Sequence, residues 1–189
     1  RPPHCSMRFH HAAGMLGAAS GSVSTAASRA RVAGTCDTVR LGVVGLHSRG
    51  RDHLAGFRKV AGTRITALCD VDSDVLGKQL AACQKLGETP RAFRNVRELL
   101  DSGECDAISI ATPNHTHAML GVWAAQHGIH AYVEKPLSHD VWQGRQLVAA
   151  AKKHQTIVQT GSQCRSHACN QEAIAWLQRG ELGRVVLAR

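Results

Sequence analysis

From Thr38 onward, short apolar runs alternate with segments whose apolar residues recur every three or four positions. The runs are VRLGVVG (39–45), RITALCD (64–70), DAISIAT (106–112), IHAYVE (129–134) and TIVQT (156–160), and a very short one lies at 91–93. Each is short and rich in Val, Ile, Leu or Ala, which predicts strands rather than helices. Runs apolar on both faces suit a parallel sheet covered on each side. The segments between them have helix signals. Asn95 with Glu98 three residues later makes a capping-box pattern. Ser138 precedes a helix ending in Lys152, Lys153 and His154, where cations meet the negative end of the dipole. Val141, Leu147, Val148 and Ala151 share one face of that helix, and Gly128 is placed to stop the helix before it. Six strands alternating with helices predict an α/β fold, a doubly wound parallel sheet of the Rossmann type.

Composition separates the first 36 residues from this body. They hold four Arg and no acid, and are rich in Ala, Gly and Ser. Met7 and Arg8 precede a weakly apolar stretch, 12–27, and Ser28-Arg29-Ala30 offers small residues for cleavage. The segment reads as a targeting signal or as a disordered tail. As a signal its low apolarity suits twin-arginine export to the periplasm, with Arg8 alone where two adjacent Arg belong; as a tail it leaves the protein cytoplasmic. The chain of 189 residues suits one well-buried domain, divided as 1–36 tail, 37–162 dinucleotide-binding body and 163–189 start of a second unit.

Charge and cysteines then exclude several classes. Of the net +9, only +5 lies outside the tail, with no Lys/Arg block and a single Tyr. A nucleic-acid surface would need a basic face interleaved with stacking aromatics, so none is expected. No run approaches the ~20 apolar residues of a membrane span. The seven Cys are odd in number and lack a C-x-x-C pair, which argues against a disulfide framework or a zinc ribbon. Cys164, His167 and Cys169 fit no standard ligand spacing and read as helix-face residues, so no metal is expected.

The candidate chemistry gathers at the strand ends. The first strand runs into GLHSRGRDHL, with Gly45 and Gly50 in the outer positions of a G-x-G-x-x-G turn and His47 in the middle one. Asp70 follows Gly50 by twenty residues at the end of the next strand. This pattern predicts a tight turn at Gly45, a pyrophosphate against the helix N-terminus, and Asp70 accepting from ribose hydroxyls. A carboxylate there repels a 2′-phosphate, so NAD is expected over NADP. Asp72 reads as a helix cap first and a ribose contact second. The Cβ of His47 sits where backbone should approach the phosphates, which widens the loop or impairs binding. In ATPNHTH, Pro113 and Asn114 end a strand and cap the next helix, while Thr112, Pro113, Asn114 and His117 line the crevice beyond the strand ends. The next strands deliver Glu134 and Lys135, then Gly161 and Gln163, to the same edge. A charged pair at the end of an apolar strand is costly unless it is used; from the residues alone Lys135 reads as a surface lysine in a turn.

GLHSRG, CDVD, ATPNHTH, VEKP and GSQCRS occur in the order and approximate spacing of the Gfo/Idh/MocA oxidoreductases, which the chain resembles over about residues 38–189. The resemblance implies that Lys135 hydrogen-bonds the reacting oxygen of a sugar, cyclitol or polyol and assists proton transfer while hydride passes to nicotinamide. It implies that Glu134 orients Lys135 or contacts the cofactor, that the Lys135–Pro136 bond is cis, and that Arg49 in GLHSRG and Gln163 and Arg165 in GSQCRS contact NAD. Such proteins continue into a second α/β domain that carries the rest of the substrate pocket and pairs homo-oligomers; ELGRVVLAR resembles its first strand. The chain is therefore expected to be truncated and inactive alone, and its tail resembles the export signal of secreted members. Two alternatives stay open: a relative that uses bound NAD transiently to cleave a glycosidic bond, and a non-catalytic dinucleotide-binding remnant.

Overall fold

Strands that are apolar on both faces must be covered on both, and the chain does this by returning through a helix after nearly every strand. The computed structural model describes residues 38–184 together with 186 and 187. Its strands are β1 (Val39–Val44), β2 (Thr63–Cys69), β3 (Arg91–Phe93), β4 (Ala107–Ile110), β5 (His130–Glu134) and β6 (Val158–Gly161). They form one parallel sheet in the order β3-β2-β1-β4-β5-β6. The helices are α1 (Ser48–Phe57), α2 (Ser73–Lys85), α3 (Val96–Asp101), α4 (Asn114–Gln126) and α5 (Val141–His154), and after a short 3-10 turn (Gln163–Ser166) comes α6 (Ala168–Gln178). This is the expected doubly wound Rossmann-type α/β fold.

Each face of the sheet has its own core. Leu41, Val43, Ile65 and Leu68 pack with Leu54 of α1 and Leu76 and Cys83 of α2. On the other face Val44, Cys69, Ile108, Ile110 and Val133 pack with Leu99 of α3 and Leu120 and Ala124 of α4. Burial holds the core thiols protonated: Cys69, beside Asp70, and Cys105, beside Asp106, are both pushed up to about 12. The chain winds outward from β1 through β2 to β3, then returns to β4 on the other side of β1. Loops leaving β1 and β4 therefore part in opposite directions and open a crevice at their carboxyl ends.

Two local expectations, for Asn114 and for the face of α5, are corrected. Ser138 does precede α5, whose cap is Asp140: its carboxylate accepts from Gln143 N at 2.8 Å, and Ser138 Oγ donates to Asp140 O. Asn114 is the first residue of α4 and caps nothing, while Asn95 does cap α3 by accepting from Arg97 N. On α5 only Leu147 is buried, at 1% exposure; Val141 (72%) and Val148 (48%) are open, because α5 packs chiefly on α4 and only the face toward α4 is covered. Gly128 does end α4's turn, at φ 71°. The tail expectation for residues 1–36 lies outside the described residues. The strand expected at 181–189 is not formed among the described residues: 181 and 182 are in a turn, and 183, 184, 186 and 187 have no regular structure. Among the described residues no helix is long and apolar enough to cross a membrane.

Candidate dinucleotide-binding crevice

The turn after β1 is built so that backbone meets backbone. Gly45 has φ 82°, and a Cβ there would lie 2.7 Å from Ala111 O; at Gly50 a Cβ would overlap the carbonyl of Gly45. Both glycines are thus required for α1 to start this close to the strand. His47 occupies the N-cap position but makes no side-chain cap. Its ring leaves the turn and lies 3.8 Å from the Asp72 carboxylate, with the side chain 72% exposed. The imidazole is therefore directed toward the β2 side and not into the turn. Gly50 N and Arg51 N turn back to His47 O, whereas Ser48 N and Arg49 N have no protein acceptor among the described residues. Free amides at the start of a helix carry the positive end of its dipole and suit an anion. By this test the turn fits a pyrophosphate, His47 included.

Asp70 ends β2 beside that turn. It is 9% exposed, and its two oxygens accept from Leu46 N at 2.7 Å and Asp72 N at 3.0 Å. The carboxylate thereby ties the β1 turn to the end of β2, a structural duty that leaves lone pairs for ribose hydroxyls. Asp72 caps α2 by accepting from Asp74 N and Val75 N, as its first reading required.

On the other side of β1 the sheet face under α1 is polar. Alternation along β4 and β5 turns Ser109, Tyr132 and Glu134 toward α1 and leaves Ile108, Ile110 and Val133 in the opposite core. Glu134, 3% exposed, is met there by three donors: Arg49 Nε at 2.7 Å, His53 Nε2 at 3.2 Å and Lys135 N at 2.9 Å. His53 Nδ1 lies 2.7 Å from Ser109 Oγ, and its ring packs edge-on against Tyr132 and Phe57. Burial alone would raise the Glu134 pKa; the bonds from Arg49, His53 and Lys135 N outweigh it and hold the carboxyl below the usual glutamate range. Burial, aided by Arg49, pushes His53 below an ordinary histidine although Glu134 pulls the other way. The neutral ring then donates to Glu134 and accepts from Ser109.

His53 and Ser109 were not anticipated. The signal for Ser109 was present, a single hydroxyl inside the apolar run AISI, and His53 follows Gly50 by three positions on the same helix. Neither signal says that a helix of one unit reaches a strand more than fifty residues on.

The remaining candidates fall into two groups. Lys135 is exposed at the lip of the crevice, its backbone anchored through Glu134, and its bond to Pro136 is cis as expected. Thr112, Pro113 and Asn114 form the opposing lip, where Thr116 Oγ1 bonds Thr112 Oγ1 and Pro113 O, both at 2.7 Å. His117 is buried and bridges the lips, with its ring nitrogens 2.7 Å from Pro136 O and 2.7 Å from Thr112 O. Gln163 and Arg165 are brought only to the rim: they sit exposed in the 3-10 turn after β6, and their side chains bond nothing among the described residues. Cys164 and Cys169 are exposed nearby, and no group of three His, Cys, Asp or Glu among the described residues is arranged for a metal.

Comparisons with known proteins agree with this geometry. Residues 39–162 match the model of the Gfo/Idh/MocA family, an oxidoreductase family with an NAD-binding Rossmann fold. A glycosyl hydrolase family 109 protein of Porphyromonas gingivalis is 33% identical over 126 residues, covering 62% of this chain and 27% of that protein. A second, from Shewanella sp. strain ANA-3, is 30% identical over 161 residues, covering 74% and 35%. Among solved structures, myo-inositol 2-dehydrogenase from Lactobacillus plantarum superposes with a TM-score of 0.71 at 26% identity, over 79% of this chain and 43% of that one. The WlbA dehydrogenase of Bordetella pertussis, solved with NADH and UDP-GlcNAcA, gives 0.70 at 25% identity over 78% and 44%. The chain thus spans about a quarter to a third of the curated relatives it matches.

Proposed function

Because the chain belongs to the Gfo/Idh/MocA oxidoreductases and contains their NAD-binding Rossmann domain, we propose that it binds NAD across the β1–β4 crevice and serves hydride transfer at a hydroxyl-bearing carbon of a sugar, cyclitol or polyol. The observation that carries this reading is the pairing of a turn with free first-turn amides at Ser48 and Arg49 with a lysine held at the facing lip through Glu134. Bound NAD supplies the hydride acceptor. Ser48 N and Arg49 N hold the pyrophosphate, and Asp70 accepts from the adenosine ribose. Asp70 and Asp72 together place negative charge at the end of β2, which disfavours the 2′-phosphate of NADP. Lys135 Nζ hydrogen-bonds the reacting oxygen of the substrate and assists the transfer of its proton, while Glu134 holds the lysine backbone in place. Gln163 and Arg165 reach the cofactor from the rim.

A second reading is favoured by the glycosyl hydrolase family 109 relatives at 30–33% identity. In it the same oxidation is transient and serves to cleave a glycosidic bond, so that no NADH is released.

Fluorescence titration of the full chain with NADH and NADPH tests the core of the proposal. Saturable binding that favours NADH is expected, with Lys135→Ala binding as well as wild type. A cooperatively folded chain that binds neither would sink the dinucleotide reading and leave a non-binding remnant. Release of NADH per turnover separates the two reactions.

A further inference from the structure

We infer that Arg94 is a specificity residue for the dinucleotide: its guanidinium stands beside the adenosine 2′ position and offsets part of the repulsion that Asp70 and Asp72 exert on a 2′-phosphate, so that NADPH remains a weaker second ligand. This role rests on the binding of a dinucleotide across the crevice with Asp70 on the adenosine ribose. Arg94 directly follows β3, whose last residue, Phe93, accepts from Asp70 N at 3.2 Å. The parallel register of β2 and β3 therefore carries Arg94 to the strand end next to Asp70, about 4.8 Å across the sheet. Its side chain turns to the loop after β2, where Nη2 donates to Val71 O at 3.1 Å, one residue beyond Asp70.

The anchor is a carbonyl, so the charge is oriented without being neutralised. Arg40, Arg49, Arg58, Arg91 and Arg179 pair with carboxylates, and Arg97 lies over the Trp123 ring. Arg94 has neither kind of partner among the described residues, and one N–H of its fork is engaged. The rest of the fork is available to a ligand, in the planar geometry that suits a phosphate. The carboxylates beside it cannot serve a phosphate. Both oxygens of Asp70 accept amides and have lone pairs left only for donors such as ribose hydroxyls, while Asp72 accepts from the first amides of α2. An arginine near the acidic residue at this strand end is the means by which such sheets admit a 2′-phosphate. Two carboxylates against one oriented cation leave the balance with NADH.

A purely structural duty would leave the bond to Val71 O with little to do. The strand ends are already joined by the β2–β3 ladder and by Asp70 N on Phe93 O, and the loop after β2 is fixed by Asp72 N on Asp70. Arg94 is exposed, and one carbonyl bond there adds little after the entropy of ordering so long a side chain. What the bond does change is where the charge sits: it keeps the guanidinium over the loop, with Val71, 76% exposed, beneath it.

Paired fluorescence titrations with NADH and NADPH, on the full chain and on Arg94→Ala and Arg94→Lys, read this role, with thermal melts of all three. NADPH is expected to bind Arg94→Ala roughly fivefold more weakly while NADH stays within about twofold of wild type, the scale of one exposed charged contact. Arg94→Lys keeps the charge without the fork and is expected to fall between the two. Equal weakening of both dinucleotides, or a lowered melting temperature with an unmoved ratio, would make Arg94 an adenine contact or a strut of the loop and overturn the specificity role. An NADPH affinity that Arg94→Ala leaves unchanged, or a wild type that binds NADH and no NADPH, would overturn it as well. A folded wild type that binds neither dinucleotide would sink the dinucleotide reading itself, an outcome distinct from an unmoved ratio.

Discussion

Two buried carboxylates end two strands of the same sheet and are satisfied in opposite ways. Asp70, at the end of β2, accepts only backbone amides, from Leu46 and Asp72. Glu134, at the end of β5, draws two of its three donors from side chains of α1, Arg49 and His53, which are 85 and 81 residues away. Amides come with the fold, so Asp70 is supported as soon as the β1 turn and the β2 end meet. Side-chain donors must be brought and paired, and each is itself a group that would suffer without its partner. The Glu134 side of the crevice therefore has more to lose from a single substitution, and the Asp70 side more to lose in ligand choice.

The sharpest test of that contrast is Glu134→Ala. It leaves the buried His53 without its acceptor, while Arg49, 35% exposed, keeps Asp52 and water; an unsatisfied buried group of this kind costs roughly 1–3 kcal/mol. Urea melts should show a large fall in midpoint at unchanged slope. A loss no greater than that of Asp70→Asn would erase the distinction between the two sites.

Gly50→Ala acts on both at once, because a Cβ overlapping the Gly45 carbonyl pushes α1 off the turn that carries Leu46 N and Arg49. About 2 kcal/mol is expected from overpacking, together with at least a tenfold weaker NADH titration. Wild-type affinity in a folded variant would show that the turn does not hold the dinucleotide.

Asp70→Asn keeps one acceptor but turns an NH2 toward an amide donor, costing about 1–2 kcal/mol. Its larger signature is in choice, a narrowed NADH over NADPH ratio in paired titrations. An unchanged ratio would assign cofactor preference to Asp72 or elsewhere.

The smallest effect is set by pH. His53 is depressed by burial, so its unfolded form, near 6.5, takes a proton first; stability from the neutral ring is complete above that pH and is lost as pH falls toward the folded value. His130, depressed by burial too, adds to the same step. Glu134 is also depressed and contributes above the unfolded value near 4.3, with loss as pH falls through its own folded value. Melting temperature should decline from about pH 6.5 downward and more steeply below about 4.3. Since Glu134 pulls His53 back up, the first decline is shallow. A flat profile between pH 7 and 5 would mean that the ring is charged in the folded protein.

Legibility followed locality. Five strands and the Asp72 cap were readable because runs of four to seven largely apolar residues and a cap two or three residues from its amides are short-range patterns; β3, only three residues long, was placed by the spacing between them. Asn114 failed as a cap because Pro113 takes the N-cap position and Asn114 is already the first residue of the helix. The apolar face assigned to α5 failed for a tertiary reason: which neighbour the helix packs on, here α4, decides which of its residues are covered. At the crevice, Gly45, Gly50, Asp70, Glu134 and Lys135 could be named from motifs, whereas the bond from Arg49 to Glu134 and the contacts of His53 and Ser109 could not.

By itself, then, the sequence determined the βα alternation, the parallel sheet, the glycine turn and the family, because each rests on periodicity or on spacing within one loop. Only the tertiary structure decided who satisfies Glu134, that His117 bridges two lips, and that His47 turns out of the turn toward Asp72. Those outcomes depend on the twist and order of the sheet, which bring α1 over β4 and β5 and set the strand ends side by side. Hydrogen-bond partners separated by eighty residues are chosen by that geometry, and no local pattern encodes it.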